Sequence, residues 1–177
     1  MEKISVAAYA DLIQSCKVLE KDGHGEKVLL ADNGQIIKIF RRKRLLSSAL
    51  FFPYVRRFAS NAKRLQRLDI HTITVLKFAH CCQPKRDLVW YEPIAGETLR
   101  NYCQLEKSEL IIETLARFVA ELHQKGILFR SLHWGNIIVA VDLSLGLIDI
   151  ADIRFYRQSL SPTLRQRNFS HLLRYAV

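Results

Sequence analysis

The sequence predicts an α+β fold, and three observations carry that expectation. Short apolar runs separated by turn residues fill the first half, while the second half opens with a long run at helical spacing. The composition is that of a folded domain, with 49% hydrophobic and 25% charged residues and few glycines or prolines (7 and 4) in 177 residues. A chain near that length hides roughly two thirds of its unfolded surface, enough for one domain or a small two-lobed unit. Disordered, collagen-like and linker compositions are excluded. Basic residues outnumber acidic ones, 27 to 17, for a net charge of +10. That excess calls for an acidic partner: nucleic acid, a phosphate-rich lipid or sugar, or an anionic membrane face.

The elements follow in order. Lys17-Val18-Leu19-Glu20 reads as a strand, with Asp22-Gly23-His24-Gly25 as its bend. Residues 27–31 and 35–40 flank Asp32-Asn33-Gly34, where Asn-Gly predicts a type I′ hairpin turn. Pro53 to Leu68 reads as a helix, since Val55, Phe58, Ala59, Ala62, Leu65 and Leu68 recur at spacings of three and four. Its opposite face carries Arg56, Arg57, Lys63, Arg64 and Arg67. Two further strands, Ile73 to Phe78 and Asp87 to Tyr91, surround Gln83-Pro84-Lys85-Arg86. Residues 1–91 are thus expected to hold five antiparallel strands and one helix.

Glu92-Pro93-Ile94-Ala95-Gly96 interrupts the strand pattern, so residues 92–97 are expected to be a hinge and 98–177 a second lobe. Ser108 is the expected N-cap of a long helix. Leu110, Ile111, Leu115, Phe118, Val119 and Leu122 would form its buried stripe, and Gly126 its C′ residue. Ile137 to Val141 and Leu145 to Ile150 predict a second hairpin. Ser161-Pro162 predicts a turn before a last helix, Leu164 to Tyr175, in a basic tail.

The N-terminus, Met1-Glu2-Lys3-Ile4-Ser5, lacks the apolar core of a secretory signal. No run reaches the about 18 apolar residues of a membrane span, and the richest, Ile137 to Ile153, is broken by Asp142, Asp149 and Asp152. Cys16, Cys81, Cys82 and Cys103 are therefore expected as free thiols in a reducing cytoplasm. His80-Cys81-Cys82 has a metal-like look. Adjacent strand residues point to opposite faces, however, and no second Cys/His pair supports them, so buried thiols are the expectation.

Chemistry concentrates in residues 122–153. A helix ends at Gly126, and the polar loop Arg130-Ser131-Leu132-His133-Trp134-Gly135-Asn136 leads into a strand. Asp149 ends the next strand, in Leu147-Ile148-Asp149-Ile150-Ala151-Asp152. Two oxygen ligands, Asn136 and Asp149, at the mouth of one hairpin can share a hard cation. Mg²⁺ favours such sites, taking its remaining ligands from water and phosphate.

These phrases resemble the protein-kinase-like superfamily, whose catalytic loop is H-R-D-L-x-x-x-N and whose metal motif is D-F-G. Arg130, Leu132 and Asn136 match the first motif, and Asp149 matches the second. The phrases are most similar to those of bacterial small-molecule and lipopolysaccharide-core kinases, including toluene-tolerance-type proteins, and more distantly to RIO kinases. The resemblance spans roughly residues 17–155. It implies a minimal kinase-like fold, with a five-stranded N-lobe and a short helical C-lobe, and ATP and Mg²⁺ as cofactors. Gly23 and Gly25 fall where the family covers phosphates, and Lys38, in Ile36-Ile37-Lys38-Ile39-Phe40, where it binds them. Glu92 and Ile94 fall in the adenine-holding hinge, and Asn136 and Asp149 at the metal. The implied activity is ATP-dependent phosphorylation of a sugar hydroxyl, on a phosphorylated glycolipid of lipopolysaccharide-core type or on a small-molecule acceptor.

The match has gaps. Ser131 replaces the catalytic-loop aspartate, which accepts the substrate's proton, and a serine hydroxyl is a weak base. Such help is worth about 10²–10⁴-fold. His133 or Asp152 are both available as substitutes. Asn61 stands where the family's helix offers a glutamate to the lysine, and the later helices are reduced to the last one. A pseudokinase, binding without turnover, is therefore the alternative. Arg130, His123 and Trp134 read as structural. Arg41-Arg42-Lys43-Arg44, with the basic helix face and the Arg-rich tail, fits peripheral contact with an anionic inner membrane. No nucleic-acid motif accompanies the charge.

Overall fold

The computed structural model describes residues 2–41, 54–105 and 109–174. The chain divides into two compact units, Met1–Ser60 with Ile73–Pro93 and Asn61–Thr72 with Ile94–Val177. Both mix helix and strand, so the architecture is α+β. The division falls between Pro93 and Ile94, inside the expected hinge, and the second unit also takes residues 61–72. Ser108, Arg42, Lys43 and Arg44 lie outside the described residues.

The first unit is built on β1 (Glu2–Ile4), α1 (Val6–Ser15), β2 (Lys17–Asp22), β3 (Gly25–Leu30), β4 (Ile36–Arg41), the start of α2 (Tyr54–Arg67), β5 (Thr74–Cys81) and β6 (Arg86–Glu92). Its sheet has six strands rather than the expected five, in the order β1-β5-β6-β4-β3-β2. All pairs are antiparallel except β1 with β5. The extra strand and α1 were not foreseen: three residues carry no periodicity, and α1's apolar positions are diluted by alanines. Its start was nonetheless written, since Ser5 Oγ caps Ala8 N at 3.0 Å.

The β3–β4 turn also differs from expectation. Among Asp32, Asn33 and Gly34, Gly34 alone is left-handed (φ 81°). Gly34 N donates to Ala31 O, and Gln35 N to Asn33 Oδ1. A three-residue loop ending in a left-handed glycine replaces the two-residue type I′ turn.

Strand alternation sorts the two faces of this sheet. Leu29, Ile37, Ile39, Leu88 and Trp90 form one core with Tyr9 of α1, joined by Leu12 and Ile13. On the other face Phe58 of α2 lies edge-on to Phe40 (centroids 5.7 Å apart) and tilted against Tyr91 (5.6 Å). Lys38 shares that second face.

The second unit contains the rest of α2, then β7 (Gly96–Thr98), α3 (Leu99–Leu105), α4 (Glu109–Gln124), β8 (Ile127–Phe129), β9 (Ile137–Ala140), β10 (Leu145–Leu147), β11 (Ile153–Phe155) and α5 (Pro162–Arg174). Strands pair as β10-β9-β7 and β11-β8. Helix α4 packs on β8 and β10, and α5 on β8. The expected stripe of α4 is buried except at Leu110, which is 57% exposed. Successive helix residues point about 100° apart, so Ile111 fills the interior while Leu110 faces solvent. Gly126, with φ 70°, ends α4 as expected. Gly96 has φ 144°, and a Cβ there would stand 2.1 Å from Val139 O, so β7 can pair with β9 only through glycine.

Phe58→Ala should empty a fully buried aromatic site and cost about 3–5 kcal/mol of stability, read from urea unfolding. A loss under about 1 kcal/mol would show that Phe40 and Tyr91 close over the gap.

Candidate functional site

Two strand ladders bring residues 130–136 and 148–152 together. Phe129 of β8 pairs with Ile153 of β11, and Ile137 of β9 pairs with Leu147 of β10. Both loops are therefore closed at both ends by antiparallel pairs. Ile148 N adds a bond to Asn136 O at 3.0 Å.

Within this frame the second-unit site residues meet. Ser131 Oγ donates to Asp152 Oδ2 at 2.5 Å. Asn136 is buried, and its Nδ2 donates to Ser131 O at 3.0 Å. The amide's donor half thus braces the loop, while its oxygen is the half that suits a cation. Asp149 is exposed and sits in the left-handed region (φ 54°, ψ 40°). Non-glycine residues adopt that region at a cost of about 1–2 kcal/mol, with aspartate among the more tolerant. It turns the chain sharply out of β10 into a 3₁₀ turn at Ile150–Asp152.

His133 caps the 3₁₀ turn Trp134–Asn136, its Nδ1 accepting from Gly135 N at 3.1 Å. An accepting Nδ1 fixes the neutral ring with its proton on Nε2. Burial, then the Arg100 and His171 charges, hold His133 below its ordinary value of 6.5, against the opposing pull of Asp149 and Asp152.

Helix α5 fastens the loop from behind. Asn168 Nδ2 donates to Phe129 O at 2.7 Å, and His171 Nδ1 donates to Leu132 O at 3.0 Å. With its nitrogen so used, Asn168 accepts at Oδ1 from His123 Nε2, 3.0 Å away. His123 is buried, and that burial pushes it below its ordinary value. Asn168, His171 and Arg100 had not been singled out in the sequence. Asn168 and His171 lie three apart on one helix face, a spacing shared by many solvated pairs.

Asn61 donates to Ile150 O at 2.7 Å, one residue beyond Asp149. Arg130 is exposed. Among the described residues the buried side-chain atoms without a hydrogen-bond partner are Trp134 Nε1 and Asp152 Oδ1, both in this loop pair.

In the first unit, half-buried Lys38 stands between Val28 and Val89 on the face of Phe40, Tyr91 and Phe58. Gly23 and Gly25 belong to a tight β2–β3 turn. Asp22 ties that turn together, accepting from His24 N at 2.8 Å and from Arg41 at 2.6 Å. Those bonds hold the Asp22 carboxyl well below its usual range. A Cβ on Gly23 would meet nothing within 4 Å, whereas Gly25 needs its φ of 110°. Glu92 ends β6, exposed; Ile94, in the second unit, is buried against the backbone at Gly146.

Away from these residues, His80 pairs with buried Asp87 across β5 and β6 at 2.7 Å. Cys81 is buried, Cys82 is exposed, and all four cysteines are free. Among the described residues no group of three His, Cys, Asp or Glu is arranged to hold a metal. Among them, too, no helix is long and apolar enough to cross a membrane. No protein-family model matches the chain, and no curated protein matches it.

The lowered His123 and His133 set a sign for pH. Above their ordinary 6.5 both states are neutral and neither group affects stability. Below it the unfolded chain takes up protons that the folded chain resists, so stability falls with pH until the folded imidazoles also titrate. Unfolding experiments on native protein and His123→Gln should show a shallower acid decline in the variant. Equal slopes would contradict a neutral, buried His123.

Proposed function

We propose that the protein is an ATP- and Mg²⁺-dependent phosphotransferase of the kinase-like superfamily. Its acceptor is a sugar hydroxyl, on a phosphorylated glycolipid of lipopolysaccharide-core type or on a small molecule. Lys38 binds nucleotide phosphates, Asn136 and Asp149 hold Mg²⁺, and the acceptor hydroxyl lies near Ser131 and His133. The reading is carried by one observation: Asn136 and Asp149 flank the mouth of the β9–β10 hairpin, tied there by the Ile148–Asn136 bond.

The donor set suits the ion. One amide oxygen and one carboxylate are few for an all-protein cage, and Mg²⁺ commonly completes its shell with water and phosphate. Its chemistry would be charge neutralisation on the transferring phosphates. In the first unit, Lys38, half-buried between Val28 and Val89, is the residue that the resemblance assigns to nucleotide phosphates. Exposed Arg56, Lys63, Arg67, Arg154, Arg157 and Arg167 favour an anionic acceptor or the membrane surface that presents it.

A pseudokinase is the second reading. It is favoured by Ser131 in the loop's carboxylate position and by Asn61, whose amide is spent on the Ile150 carbonyl.

Titration calorimetry of ATP with and without Mg²⁺ tests the first reading. Binding should require Mg²⁺ and weaken about tenfold or more in Lys38→Ala and in Asp149→Asn, the loss expected for one charge-assisted contact. Absence of binding at millimolar ATP, in folded protein, would refute it. Binding without phosphate release would favour the pseudokinase.

A further inference from the structure

The phosphotransferase reading leaves one chemical role unfilled: which group takes the proton from the acceptor hydroxyl. We propose that Ser131 and Asp152 form a relay that does so, Ser131 receiving the acceptor's proton while passing its own to Asp152. The inference rests on the phosphotransferase reading.

Four observations support it. Ser131 Oγ already donates to Asp152 Oδ2 at 2.5 Å, a short bond typical of a hydroxyl on an ionised carboxylate. The serine is half-buried and reachable, whereas the other carboxylate oxygen, Asp152 Oδ1, is buried without a partner among the described residues. The carboxylate thus meets its surroundings through the serine. Unpartnered buried polar atoms are rare and call for a reason. Third, the bond lies beside the proposed cation ligands, because Asn136 Nδ2 holds Ser131 O and Asp149 begins the turn that carries Asp152. Fourth, the rival base is engaged. His133 Nδ1 accepts from Gly135 N, which leaves its other nitrogen as an N–H donor.

The step balances. The acceptor oxygen bonds to the terminal phosphorus of the nucleoside triphosphate, and the bond from that phosphorus to the bridging oxygen breaks, its electron pair leaving with the diphosphate. The acceptor's proton moves to Ser131 Oγ, and the serine's proton moves to Asp152 Oδ2. Asp152 acts through the serine, so the residue facing the acceptor is Ser131.

The test uses the full chain with Mg²⁺ and ATP alone, water serving as the acceptor. Asp152→Asn should leave the calorimetric affinity for Mg²⁺·ATP within about twofold and lower the rate of phosphate release by about 10²–10⁴-fold. The double variant Ser131→Asp/Asp152→Ser, which moves the carboxylate into the loop, should recover most of that rate. In the ligand-free protein a far-downfield hydroxyl proton should be seen by NMR at low temperature and vanish in both Ser131→Ala and Asp152→Asn.

Native turnover with an unchanged rate in Asp152→Asn would overturn the relay and leave the phosphotransferase standing. Binding of Mg²⁺·ATP by the native chain with no turnover would overturn the relay and leave a nucleotide-binding module. Failure of the native chain to bind Mg²⁺·ATP would overturn both. A variant that unfolds is replaced by the double variant, whose rate against native protein decides the same point.

Discussion

The second unit depends on two strand pairs, β8 with β11 and β9 with β10. Between them they fix four chain ends, so the loops 130–136 and 148–152 face each other. Each ladder bond is worth only about 1 kcal/mol net, but an opened, buried bond costs the desolvation of both partners. Phe129, Ile137 and Leu147 are all fully buried, so water cannot replace those bonds. These apolar residues thereby set the spacing of the polar groups on the two loops.

The loops themselves are held by side chains. An irregular segment beside a core must find partners for its peptide groups, and here Asn136, Asn168, His171 and His133 provide them. Each uses one end to satisfy backbone. The role of α5 follows: a short C-terminal helix stands behind the loop through Asn168 and His171, with neutral His123 as the buried donor beneath. This accounts for the buried Asn168–His123 pair in an otherwise apolar interior, since an ion there would need a counter-charge.

The first unit applies a simpler rule. A period of two puts Ile37 and Ile39 on the α1 side and Lys38 and Phe40 on the α2 side. Lys38 keeps its stem among apolar neighbours, with its ammonium 6.0 Å from the centroid of the Phe40 ring. A one-residue slip of β4 would send Lys38 into the core of Tyr9 and Trp90, so burial enforces the register.

Much of the fold was legible in local patterns. The helix at 54–67, the helix at 109–124, the hairpin at 137–147 and the last helix follow from apolar spacing, turn residues and Gly126, all short-range physics. The parallel strand β1 was not legible, because it is held by the distant β5, nor was α1, which packs on the sheet core; at Gly34 the turn was legible but its three-residue type was not. The same division holds in the site. The residues themselves singled out Asn136 and Asp149, and the kinase-like resemblance added Ser131, His133 and Asp152 but left the choice between the last two open. Only the tertiary structure decides which groups touch: residues 131 and 152 are brought within one hydrogen bond by ladders of buried residues, and His133 is turned onto Gly135 by its own loop. The sequence by itself determined the residue types and the local elements, since those depend on neighbours along the chain. Contact across 21 residues depends on the burial of Phe129, Ile137 and Leu147, which no local pattern encodes.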